Sequence, residues 1–137
     1  MLKSSLAGPR HIPKTVKKAI VLLHGYGANG TDMFGFAPAF EQAFPDAAIY
    51  CPDALEHLPG LPGCRCWFAL DGYDPAQDAD NPDIFVKRCR AVLPPLEKPR
   101  ALLDRMLDEM MELHGLKARD VGIGGFSQGG LVALAVA

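Results

Sequence analysis

The chain has 137 residues, of which 49% are hydrophobic and 22% charged; that supplies one core and argues against disorder, collagen and coiled coil. Its 14 Lys and Arg against 16 Asp and Glu give a formal net charge of -2, so no global field draws it to nucleic acid or to an anionic membrane. The charge is uneven: Lys3, Arg10, Lys14, Lys17 and Lys18 precede any acid, and Asp71, Asp74, Asp78, Asp80 and Asp83 stand together with no base between them. Both runs read as solvated surface.

Cys51, Cys64, Cys66 and Cys89 occur in a chain with no apolar segment behind its basic start, which reads as reduced thiols and a cytoplasmic setting. The longest apolar runs, 19–23 and 131–137, are too short to span a bilayer. Cys64-Arg-Cys66 with His57 nearby lacks the paired ligand spacing of a zinc site. No metal and no cofactor is expected.

In chain order, residues 1–17 form a basic lead-in, and Ala19-Ile-Val-Leu-Leu23 has the continuous apolar pattern of a strand buried on both faces of a parallel sheet. The turn-rich His24-Gly-Tyr-Gly-Ala-Asn-Gly30 follows; Thr31 or Asp32 then caps a helix running through Phe34 to Phe44. Ala47-Ala-Ile-Tyr-Cys51 reads as a second buried strand, closing a βαβ unit with parallel strands. Residues 53–82 show no period and are rich in Pro and Gly, yet carry Leu61, Trp67, Phe68 and Leu70, which favours an ordered, pocket-lining loop over a disordered one. A helix is expected over 81–92, ended by Pro94-Pro95. A second has Pro99 in its first turn, and its apolar face is Leu102, Leu103, Met106, Leu107, Met110 and Leu113. His114 and Gly115 suit its cationic or polar last turn and left-handed cap. A third strand over 120–126 and a helix over 131–137 complete the pattern.

Gly125-Phe-Ser-Gln-Gly129 matches G-x-S-x-G at a strand-to-helix junction, the context that gives this short pattern chemical meaning. Ser127 then occupies a sharp, strained turn that projects its hydroxyl beyond the sheet, and Gly125 and Gly129 remove side chains that would collide there. Backbone N–H groups at the start of the next helix face a developing oxyanion. Gln128 offers one such N–H. The loop after the first strand is placed to offer the second through Tyr26, flanked by Gly25 and Gly27, with His24 orienting backbone.

Leu23-His-Gly-Tyr-Gly-Ala-Asn-Gly30, Pro52-Asp-Ala54, Arg65-Cys-Trp-Phe68 and Gly124-Gly-Phe-Ser-Gln-Gly-Gly130 together resemble the phospholipase/carboxylesterase family of α/β-hydrolases, which includes acyl-protein thioesterases. The resemblance runs from about residue 17 to the end. It implies an α/β-hydrolase fold with three layers and a mostly parallel sheet. The implied activity is a serine hydrolase acting on short to medium acyl esters, acyl thioesters or lysophospholipids through an acyl-enzyme. Ser127 is then the nucleophile, Tyr26 and Gln128 form the oxyanion hole, and Trp67 and Phe68 lie near the substrate pocket.

The triad of this fold runs Ser, then Asp or Glu, then His, but the ten residues after Ser127 contain neither Asp nor His. The expectation is therefore a single incomplete domain over 1–137 with its C-terminal strands missing, little activity on its own, and self-association through the bare edge of the third strand. Two alternatives remain: a catalytically inactive fragment, and a dinucleotide-binding module in which Gly25 to Gly30 reads as G-x-G-x-x-G with Asp53 after the next strand.

Overall fold

The computed structural model of the chain describes residues 6–70, 83, 84, 87, 90 and 94–137. Four strands form one sheet in the order β1-β3-β2-β6: β1 (Arg10–His11), β3 (Ala47–Tyr50), β2 (Lys18–Leu23) and β6 (Val121–Gly125). β2 lies parallel to both β3 and β6, with Val21 opposite Tyr50 on one side and Ile123 on the other. This central position explains the unbroken apolar run of β2: Ala19, Val21 and Leu23 face one layer, while Ile20 and Leu22 face the other. The basic lead-in is not wholly irregular, because Arg10 and His11 pair antiparallel with Tyr50 and Ile49. Two residues are too few to carry a strand signal of their own.

On one face, Leu22, Ile49 and Cys51 form a buried cluster with Ala37 of α2 (Ala37–Ala43), and Met33 and Phe34 of α1 (Gly30–Phe34) pack against it. One helix was expected here, capped by Thr31 or Asp32. The cap is Asn29, whose side chain accepts from the Asp32 N–H at 3.1 Å while Asp32 accepts from the Asn29 N–H at 3.0 Å. The helix breaks at Gly35-Phe36 because Pro38 has no N–H to give and its ring excludes a helical carbonyl four residues earlier; in the first turn of a new helix neither matters.

The opposite face is packed by α3 (Glu97–His114) and α4 (Gln128–Val136). Pro99, Leu103, Met106 and Met110 are the buried stripe of α3, whereas Leu113, expected on that stripe, is exposed: the helical period keeps it on the face of Met106 and Met110, but it lies in the last turn of the helix. Gly115 ends α3 in the left-handed conformation at φ 65. His114 lies in that last turn, where its Nε2 is 2.6 Å from the Tyr50 hydroxyl and burial holds its pKa below the usual value, so its part there is polar. The three-layer, mostly parallel α/β arrangement is thus the one expected.

Within 53–70, β4 (Glu56–His57) and β5 (Arg65–Cys66) form an antiparallel pair. They are too short to show a period, which is why this segment reads as loop in sequence. Residues 71–82, with four of the five clustered aspartates, lie outside the described residues, as does most of the helix expected over 81–92; Asp83, Ile84, Lys87 and Arg90 are helical. No helix among the described residues is long and apolar enough to cross a membrane.

Candidate active site

β6 ends at Gly125 and α4 begins at Gln128, so Phe126 and Ser127 alone turn the chain. Ser127 has φ 52 and ψ -118, and among the described residues no other non-glycine has a positive φ. Holding a residue there costs on the order of 1–3 kcal/mol, and the result is an exposed Ser127 whose hydroxyl makes no capping bond to its own helix. The flanking glycines are steric necessities. A Cβ on Gly125 would overlap the Gly129 carbonyl, and one on Gly129 would overlap the carbonyl oxygens of Leu23 and His24. The turn is therefore seated on the end of β2, where the Phe126 N–H also donates to Leu23 O at 3.0 Å.

Beside it runs the loop that leaves β2. The Cβ position of Gly25 lies 3.1 Å from the Phe126 ring and 3.5 Å from Ser127 Cβ, so this loop and the serine turn are in contact. Gly27 has φ 81, and its N–H donates to Arg65 O at 2.8 Å. His24 is fully buried: its Nε2 accepts from the Ala54 N–H at 3.0 Å, which puts the ring proton on Nδ1, 2.8 Å from Gly25 O. Burial lowers its pKa, so at neutral pH it is an uncharged brace for the loop backbone. Neither the Tyr26 N–H nor the Gln128 N–H donates to an acceptor among the described residues. Two unpaired backbone donors beside an exposed serine are what a developing oxyanion requires.

Trp67 and Phe68, expected at the substrate pocket, are core residues, each 4% exposed. The Trp67 indole N–H donates to His24 O at 2.8 Å, and its ring stacks on the His24 ring at 5.1 Å. Gln128, singled out in sequence only for its backbone, is one of two buried polar side chains among the described residues, His24 being the other. Its Oε1 accepts from the Trp67 N–H at 2.8 Å and its Nε2 donates to Phe68 O at 2.7 Å. Nothing in the pattern of the sequence marks those two bonds.

The dinucleotide alternative fails at its own glycines. The Gly30 N–H, which would face a pyrophosphate, donates to Asp53 Oδ1 at 2.7 Å, and that carboxylate lies 3.9 Å from Arg65 Nε. A carboxylate already fills the anion position, and the helix it opens has five residues. No group of three or more metal-ligating side chains occurs among the described residues.

A family profile described as Phospholipase/Carboxylesterase matches residues 11–137. Among solved structures, esterase PE8 is 31% identical over 96% of this chain and 56% of its own, with a TM-score of 0.79. The acyl-protein thioesterase 2 of Zea mays is 26% identical over 95% of this chain and 51% of its own, at a TM-score of 0.51. A Bacillus cereus carboxylesterase shares the fold at 18% identity, covering 98% of this chain and 54% of its own, with a TM-score of 0.63. The chain spans about half the length of these structures.

Proposed function

Since the chain belongs to the phospholipase/carboxylesterase family, we propose that it carries the nucleophilic and oxyanion-binding half of a serine esterase or thioesterase. Ser127 Oγ attacks the acyl carbonyl and loses its proton to a base. The carbonyl oxygen takes the negative charge between the N–H groups of Tyr26 and Gln128. Collapse expels the alcohol or thiol with a proton, and water then releases the acid from the acyl-enzyme. The observation that carries this reading is the strained Ser127, exposed at φ 52, with one unpaired N–H on the adjoining Gln128 and another on Tyr26 of the contacting loop. Phe126, exposed beside Ser127 and against the Gly25 loop, suits contact with an apolar acyl chain. Short to medium acyl groups and lysophospholipids fall within that class.

Because neither Asp nor His follows Ser127 in these residues, turnover by the chain itself should be slight. Incubation with p-nitrophenyl butyrate, with imidazole as external base, is expected to butyrylate the Ser127 peptide in a mass map. Ser127→Ala should abolish that adduct. If the serine peptide stays unmodified with imidazole present, the inactive-fragment reading takes its place.

We also propose self-association through the sheet. β6 pairs only with β2 among the described residues, and Gly122 and Gly124 present no side chain on the face they share with an open groove of about 490 Å³ lined by Ile20, Leu22, Phe40 and Phe44. An unpaired strand beside apolar surface is a template for another chain. Sedimentation should show concentration-dependent assembly that Gly122→Lys reduces; a monomer at all concentrations would refute it.

A further inference from the structure

The reaction proposed above uses the backbone of Gln128 and leaves its side chain without a task, yet that side chain is buried and doubly bonded. Its amide pairs with Trp67 N–H and Phe68 O as a neighbouring strand would, at 2.8 and 2.7 Å. The segment it grips, residues 65–68, is bonded at its other end to the loop that carries Tyr26. Gly27 N–H donates to Arg65 O at 2.8 Å, Arg65 N–H to Ala28 O at 3.0 Å, and the Trp67 indole to His24 O at 2.8 Å. By contrast, no hydrogen bond joins residues 24–28 directly to residues 126–129 among those described. Beyond the seating of the serine turn on the end of β2 and its contact with Gly25, the hydrogen-bonded link between the two segments that carry the candidate oxyanion donors runs through this third segment.

We propose that the Gln128 side chain is a positioning residue that fixes the separation of the Tyr26 and Gln128 N–H groups by clamping the Trp67-Phe68 backbone to the serine turn. The inference rests on the oxyanion assignment above and adds a residue role to it. A carboxamide suits the task because it offers one acceptor and one donor side by side. A glutamate offers two acceptors when ionised and sets one against the Phe68 carbonyl. When protonated it regains the donor, so Gln128→Glu breaks the clamp at high pH and restores it at low pH. Gln128→Met keeps much of the length and loses both bonds at every pH.

Trp67 is the single tryptophan of the chain, so its indole N–H gives one resolved signal for hydrogen exchange. The exchange of this proton and of the Gly27 and Arg65 amides is to be compared with that of Val21 and Ile49 in the sheet. Gln128→Met is expected to speed the first group roughly ten- to thirtyfold, the loss of about two net hydrogen bonds, with little change in the second. Gln128→Glu should match Met at pH 8 and approach the unsubstituted chain at pH 5. Unchanged exchange at Gly27 and Trp67 in both variants would overturn the clamp, as would acceleration shared equally by Val21 and Ile49. If Gln128→Met does not fold, the pH dependence of Gln128→Glu decides alone. Butyrylation of Ser127 tests the nucleophile reading separately, since exchange protection does not depend on it.

Discussion

Ser127→Gly should stabilise the chain, although it removes the proposed nucleophile. At φ 52 and ψ -118 the serine Cβ is held in a region that ordinary side chains avoid, a cost on the order of 1–3 kcal/mol that glycine does not incur. Against this, glycine loses more backbone freedom on folding, about 0.5–1 kcal/mol. No capping bond is forfeited, because the hydroxyl makes none to its helix. The net gain is about 1 kcal/mol, or roughly 3–5 °C in Tm for a domain of this size. Ser127→Ala keeps the Cβ and therefore the strain, so it should lie close to the unsubstituted chain. Urea unfolding of the three proteins, compared by midpoint at constant slope, measures the difference. If the glycine variant is no more stable than the alanine variant, strain is not stored at Ser127 and the strained-turn argument fails.

The neighbouring glycines give a matched pair. Gly129→Ala drives a methyl into the carbonyl oxygens of Leu23 and His24 and should cost about 3 kcal/mol or more, while Gly124→Ala meets nothing within 4 Å and should be close to neutral by thermal melt. Acid should destabilise the fold through His24 and His114, whose folded pKa values lie below 6.5 because burial disfavours the imidazolium. The unfolded chain takes up those protons first, so their contribution is intact above pH 6.5 and declines as pH falls below it; a urea midpoint equal at pH 7.5 and 5.5 would contradict this. Burial pushes the Cys51 thiol up to about 12, so iodoacetamide at pH 8 should spare the Cys51 peptide in the folded chain and modify partly exposed Cys64. Equal modification of the two would refute that assignment.

What the sequence made legible follows from length of signal. β2 and β3 are runs of six and four residues inside a parallel sheet, so burial on both faces left them almost continuously apolar, while β6, only partly buried at the edge, was marked by the glycine turn it runs into; α3 is long enough for its stripe to repeat. The serine turn was visible because glycine is obligatory at 125 and 129. Pairings of two residues, as in β1 and in β4 with β5, fall below any periodicity. The helix break at Gly35 shows a local rule, proline in a first turn, overriding an apparently continuous run. The Gln128 clamp was invisible for a different reason. Its partners are backbone atoms about sixty residues away in the chain, and a backbone acceptor carries no side-chain signature.

The same bonding pattern decides where a base for Ser127 can come from. Both ring nitrogens of His24 are engaged with backbone, His114 is tied to Tyr50, and His11 lies 3.5 Å from Glu41. His57 stands exposed on β4 opposite Arg65. Freeing His24 would loosen the loop whose Tyr26 N–H the oxyanion needs, so recruiting it as base would weaken the second half of the catalytic apparatus while supplying the first. On the proposed reading, the base is none of the three engaged histidines and must approach an exposed serine. That requirement agrees with the strain at Ser127. A hydroxyl projected beyond the sheet, with no partner in its own helix, is open to a base from another segment or another molecule, while the loops that carry the proposed oxyanion donors are held by the contacts of β2, residues 65–68 and Gln128.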